Sequence, residues 1–167
     1  PNGRFVAVAK VDGRVRVTDV ETGVVRHQFR PNPGIEVVAW SPDGTLVATA
    51  SYSGAIRVWT MSDGSLLTET GSGMGQIGDL AFVNDRTLAA VGTSGHLLLL
   101  DVESGREITH LKTHNLTQGV LDVSSNGKTL LVGSGDGSLK LIETDRLLAP
   151  TVLWHDSDVR HVAFTGS

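Results

Sequence analysis

The chain has 167 residues, 40% of them hydrophobic, with 14 Lys plus Arg against 18 Asp plus Glu for a formal net charge of −4. That is length for one domain with a buried core, and the acidic balance offers no basic footprint for a nucleic-acid backbone or an anionic membrane. Cysteine is absent, which removes disulfides, thiolate catalysis and the common zinc sites and fits a reducing, cytoplasmic setting, while the longest apolar runs, such as Leu97 to Leu100, fall far short of the ~20 residues that span a bilayer.

The chain opens on Pro-Asn-Gly with neither an initiator Met nor a charged-then-apolar leader, which reads as a piece of a longer polypeptide. The first predicted strand is Phe5 to Lys10, and a polar strand follows around Arg26-His27-Gln28. The next four are Ile35 to Trp40, Leu46 to Ser51, Ala55 to Thr60 and Ser65 to Thr70. The runs TLAAVG, HLLLL and TLLVG continue the series, the polar Glu107-Ile108-Thr109-His110 lies among them, and Val159 to Phe164 is the last. Runs such as LVATA and HLLLL are apolar on both faces, so both faces must be covered by neighbouring sheets. Polar strands suit an outer edge where charge blocks further pairing.

The 20 glycines mark a period: Gly13, Gly54, Gly95 and Gly137 are 41, 41 and 42 residues apart, and Trp40, Phe82, Val123 and Phe164 are 42, 41 and 41 apart. Each period holds four short strands separated by Gly, Asp, Asn and Ser turns. The units divide as residues 1–30 (partial), 31–70, 71–112, 113–154 and 155–167 (partial). One turn residue is missing where VNDRT replaces the SPDGT of the preceding unit.

A period in the low forties, four strands per unit, SPDG and SGDG turns and a Trp closing the third strand at Trp59 together resemble the WD40 (WD-repeat) β-propeller family, over essentially the whole chain. The degenerate repeats resemble those of large bacterial regulatory proteins. The resemblance implies an all-β fold: about four four-stranded blades forming an open part of a larger propeller of about seven. It implies that the first strand of each blade lies nearest the axis. It also implies a buried network joining Trp, a Ser or Thr, an Asp in the following turn and a His before the first strand. Trp59 matches the first of these, Asp12 and Asp136 the turn position, and His114 and His155 the His position; these are the structural residues. Ser53 and Ser94 replace the Asp, Pro31 and Gly73 replace the His, and no blade holds all four.

Several motifs suggest chemistry and each has a plainer reading. GMGQIG at 73–78 matches the dinucleotide fingerprint, but a strand follows it where the motif needs a helix, so it reads as a loop. His110 and His114 sit four apart without the helix or the intervening Glu of a zinc site. Asp156 and Asp158 lack the glycine and terminal acid of a calcium loop. No catalytic residue, cofactor site or metal site is assigned.

The remaining candidate is surface. In the family, loops before the first strand and between the second and third strands share one rim, the usual docking face. Register places Arg30, Tyr52, Met74, Gln76, Asn115 and Asp156 there, beside His114 and His155, with Glu36, Asp79 and Arg160 at the mouth of the first strands. The expected function is a non-catalytic scaffold within a larger regulatory protein, docking other proteins or an attached domain of the same chain, with no nucleic-acid or membrane partner. The alternatives are a propeller lining an enzyme or cofactor site at its axial channel, marked by axial His or carboxylate clusters, and a sensory lid on an attached kinase or nucleotidase domain.

Overall fold

A computed structural model of the chain describes residues 3–10, 12–29, 34–114, 119–146, 151–154 and 158–165, with the side chain of Glu36 excepted. Its strands group into four consecutive antiparallel meanders. The first holds β1 (Phe5–Ala9), β2 (Val15–Asp19) and β3 (Val25–Phe29). The second holds β4 (Ile35–Trp40), β5 (Leu46–Ser51), β6 (Ala55–Thr60) and β7 (Leu66–Gly71). The third holds β8 (Ile77–Asn84), β9 (Thr87–Gly92), β10 (His96–Asp101) and β11 (Glu107–Lys112). The fourth holds β12 (Gly119–Val123), β13 (Thr129–Ser134), β14 (Ser138–Glu143) and β15 (Thr151–Trp154).

Three of the four strands expected in the second unit have the bounds read from the sequence, and the fourth begins one residue later. The reason lies in the turns. Ser41 Oγ accepts from the Leu46 N–H at 2.9 Å and donates to Asp43 Oδ1 at 2.6 Å, so the Ser-Pro-Asp-Gly turn closes on its own side chains. Ser124 and Asn126 rebuild the same turn in the fourth blade. In the shortened third unit, Asn84 Oδ1 accepts from the Arg86 and Thr87 N–H groups instead.

The sheets pack face to face in chain order through their first strands, β1 against β4, β4 against β8, and β8 against β12. Two large apolar layers result. One, between the second and third sheets, holds Ala48, Ile56, Val58, Leu88, Leu98 and Leu100; the other, between the third and fourth, holds Val91, Leu97, Leu99, Leu130, Val132 and Ile142. Trp59 stacks on Phe29 at 4.7 Å in the smaller first layer, and its Nε1 donates to Thr49 Oγ1 at 3.3 Å.

Two rims follow from the connecting hydrogen bonds. On one, the turn after each second strand meets the segment leading into the next blade, as Ser72 N–H to Gly54 C=O and Thr113 N–H to Gly95 C=O. On the other, first and third turns meet, as Met61 N–H to Thr45 C=O and Val102 N–H to Arg86 C=O. The arc is open: among the described residues, β1 pairs with β2 alone. Residues 158–165 take no strand conformation, correcting the strand expected over Val159 to Phe164; among the described residues they pair with no strand, and without a ladder the extended segment is not a strand. They are held instead by Val159 N–H to Ser134 C=O and Phe164 N–H to Asp122 Oδ2.

Candidate functional site: the channel-mouth rim

The first strands converge at the inner side of the arc, where adjacent backbones approach closely. A Cβ on Gly78 would lie 2.7 Å from the Gly119 carbonyl oxygen, and one on Gly119 would lie 2.9 Å from Val91 Cβ, so only glycine fits either position. Above these glycines opens a cleft of about 470 Å³ flanked by Gln76, Thr93 and Arg160. Thr93 N–H donates to the Gln76 carbonyl at 2.9 Å, which fixes the turn after β9 to the lead-in of β8. Arg160 is exposed, its guanidinium 3.5 Å from Asp158, a loose surface pair with little hold on the side chain. Tyr52 stands farther out on the same rim, 60% exposed, with its ring over Gly34.

Met74, assigned to the rim, and Asp79, assigned to the mouth of the first strands, both make contacts within the fold. Met74 is 2% exposed and packs into the layer between the second and third sheets, because the Gly73–Gly75 loop folds back over Gly92. Asp79 lies on the inner wall: its Oδ1 accepts from Leu80 N–H and its Oδ2 from Leu121 N–H of the next blade, both at 2.9 Å. Burial pushes the Asp79 carboxyl above the usual carboxylate range; those two N–H groups pull it back, and the Asp122 charge nearby adds to the rise. Asp122 repeats the device, accepting from Val123 N–H at 2.8 Å and from Phe164 N–H at 2.6 Å. First strands pair with no neighbouring blade, so their inner N–H groups need acceptors, and these carboxylates supply them. The signal was visible: an acid inside each of the otherwise apolar runs IGDLAF and GVLDV.

Of the structural assignments, Asp12 caps its own turn, accepting from Arg14 N–H at 3.1 Å and pairing with the Arg14 guanidinium at 3.2 Å. Asp136 accepts from the backbone and hydroxyl of Ser138, and against the cost of its burial these bonds hold its carboxyl below the usual range. His114 is 4% exposed, with Nδ1 3.0 Å from Thr113 Oγ1 and Nε2 without a hydrogen-bond partner. Burial, then the Lys140 charge, lowers its pKa. His110 is exposed on the far side of β11, 3.6 Å from Glu107 and ring to ring with His96 at 5.0 Å, so it does not converge with His114. Among the described residues no three His, Cys, Asp or Glu side chains gather as a metal site. Gly73–Gly78 runs into β8, a strand. Arg30, Asn115, His155, Asp156 and the side chain of Glu36 lie outside the described residues.

A larger cleft, about 760 Å³, opens on the opposite rim between the first two blades, bounded by Phe5, Val24, Arg26, Leu46 and Met61 with the Arg4–Asp19 pair at 3.1 Å. The sequence offered no sign of it, because it forms only where two blades abut.

The model of the WD domain, G-beta repeat, matches residues 23–60 and 105–143. The Drosophila melanogaster Actin-interacting protein 1 is 29% identical over 143 residues, covering 82% of this chain and 24% of that protein. The human Angio-associated migratory cell protein is 31% identical over 92 residues, 55% of this chain and 21% of its own. The Dictyostelium discoideum WD repeat-containing protein 55 homolog is 24% identical over 147 residues, 87% and 36% of the two chains. The chain thus spans about a quarter of the length of the first of these relatives. The repeat matches, the four-sheet architecture and the 41-to-42-residue period agree: the chain carries WD40-type repeats at residues 23–60 and 105–143, and its sheets resemble the blades of a WD40 β-propeller.

Proposed function

We propose that the chain is a non-catalytic docking segment of a larger regulatory protein in the cytoplasm, binding another protein or an attached domain of its own chain at the channel-mouth rim. The observation that carries the reading is the pairing of exposed Tyr52 and Arg160 with an open, polar cleft on one rim of a rigid stack. Tyr and Arg are the side chains that most often dominate binding energy, and a stack of covered sheets holds them in place without reorganisation. The axial channel was the place to look for an enzyme or cofactor site. There the inward carboxylates of Asp79 and Asp122 each use both oxygens on backbone N–H groups. That favours a structural use for them. Repeats of the kind found in large bacterial regulatory proteins suit the same scaffold reading.

The test compares partner capture by the chain and three variants, with quantification of each captured protein and a thermal melt of each variant. Tyr52→Ala removes aromatic contact and is expected to cost about 2 kcal/mol of binding with the melt unchanged. Arg160→Glu is expected to slow association with an acidic partner in a salt-dependent way. Val24→Lys places a charge in the cleft on the other rim and should change neither. Capture lost in Val24→Lys but retained in the other two would move the docking site to the opposite rim.

A further inference from the structure

On the rim opposite the channel mouth, the junction of the second and third blades is tied by small side chains. Thr68 Oγ1 donates to the Val102 carbonyl at 2.7 Å, and Val102 is 2% exposed within the apolar layer. The residues 41 places earlier are His27 and Met61, so a ring and a thioether chain stand where a Thr and a Val tie the next junction. His27 Nε2 lies 3.1 Å from the Met61 carbonyl oxygen, Met61 is only partly buried, and the cleft of about 760 Å³ opens between these two blades. Phe5, Val24, Leu46 and Met61 give it apolar walls, and its charged lining side chains are Arg4, Asp19 and Arg26. Asp19 is committed within the fold. Its Oδ1 accepts from the N–H groups of Glu21 and Thr22 and from the Thr22 hydroxyl, and its Oδ2 accepts from Arg4, whose guanidinium also lies 5.1 Å from the centre of the Phe5 ring. Arg26 forms no ion pair among the described residues. In a chain of net charge −4, this cleft therefore sets an uncompensated cation beside an apolar surface, and the position 41 residues after Arg26 holds Leu67.

We propose that this cleft binds a short extended peptide segment in which an apolar side chain stands next to a carboxylate. Charge complementarity selects the acid: a guanidinium offers a carboxylate two parallel N–H donors, and Arg26 has no internal carboxylate to release first. The apolar walls take the neighbouring side chain, and removing that side chain from water supplies the rest of the affinity. A volume of about 760 Å³ holds a few side chains and no folded surface. Small-molecule pockets enclose most of their ligand, whereas this cleft opens on the rim, which suits a segment that passes through with its backbone in water. The site shares no lining residue with the channel-mouth cleft, so its ligand binds whether or not that rim is occupied.

The experiment is fluorescence polarisation of the full chain with labelled peptides that carry Leu, Phe or Met next to Glu in an otherwise Gly-Ser sequence. Saturable binding is expected. It should weaken about tenfold when Gln replaces Glu in the peptide or in the Arg26→Gln chain, and no further when the two changes are combined. Val24→Asp sets a like charge beside the acid on an exposed side chain and should weaken binding at least as much, whereas Tyr52→Ala on the other rim should leave it unchanged. Circular dichroism checks that each variant folds, and the Gln peptide probes the same contact on the unaltered chain if Arg26→Gln does not. Four results overturn the proposal: no saturable binding, a Gln peptide held as tightly as the Glu peptide, binding lost in Tyr52→Ala but retained in Arg26→Gln, or displacement by equimolar octanoate, which would assign the cleft to a small carboxylate.

Discussion

The two middle blades and the two end blades are built from similar strands and meet different fates. Val58, Leu99 and Leu141 hold equivalent places on third strands; the first two are 2% and 3% exposed, whereas Leu141 is only half-buried. It pairs with Leu131 on the side of the sheet away from the third blade, where residues 158–163 flank a cleft with Leu131 and Leu139. At the other end, Phe5, Ala7 and Ala9 pack inward while Val6 and Val8 remain 44% and 47% exposed. In a repeat stack burial belongs to the interface between neighbours, and a strand apolar on both faces is fully covered only when flanked on both sides.

Alanine truncation gives the strongest way to break that comparison. Leu99→Ala leaves a cavity between two sheets and should cost about 2–5 kcal/mol in urea unfolding. Leu141→Ala removes a side chain already half in water and should cost roughly 1 kcal/mol. Equal losses would mean that the outer face of the last blade is covered in solution.

Glycines sharpen the contrast between crowded and open turns. Gly95 has φ 78° and a Cβ there would lie 2.2 Å from the His114 carbonyl oxygen, while Gly23 has φ 69° and open space around it. Gly23→Ala carries only the left-handed backbone cost, about 1–2 kcal/mol. Gly95→Ala must also displace the chain entering the fourth blade and should cost ~3 kcal/mol or more by the same denaturation measurement. A smaller loss at Gly95 than at Gly23 would show that the junction between the third and fourth blades yields easily.

The period, the strand order and nearly every strand boundary in the second blade were readable because turn chemistry is local: Ser41 and Asp43 close their turn within five residues. What was not readable depends on partners distant in sequence. Arg57 belongs by its type on a solvent face, yet it is 8% exposed, because Glu69 on the next strand holds its guanidinium at 2.6 Å along the sheet surface. Lys140, a charged side chain, is half-buried like its neighbour Leu141, since it faces the third blade and donates to the Thr113 carbonyl. Met74 left the rim for the core through a three-residue loop whose path no periodicity encodes. Of the candidate docking side chains, Tyr52, Gln76 and Arg160 do lie on one rim, which repeat register alone sufficed to place.

The smallest expected effect is a change of slope with pH, and its two contributors oppose each other. His114 is held below 6.5, chiefly by burial, with the Lys140 charge beside it and no acceptor for a proton on Nε2. The folded chain therefore resists a proton that the unfolded chain accepts. Its contribution is whole above about pH 6.5 and is lost as the pH falls through the unfolded value toward the lower folded one. Asp79 runs the other way. Its folded pKa lies above 3.8, so the native state keeps a proton that the unfolded chain has released, and stability from this group rises as the pH falls through the folded value toward 3.8. Urea unfolding at about pH 7.5 and about pH 5.5 should show lower stability at the acid value, and His114→Gln should flatten that difference. Asp79→Asn should steepen the acid loss above pH 3.8, where the proton on Asp79 otherwise offsets part of it. An unchanged slope in His114→Gln would mean that the ring reaches solvent in the folded protein, and that the junction of the last two blades opens more than the one before it.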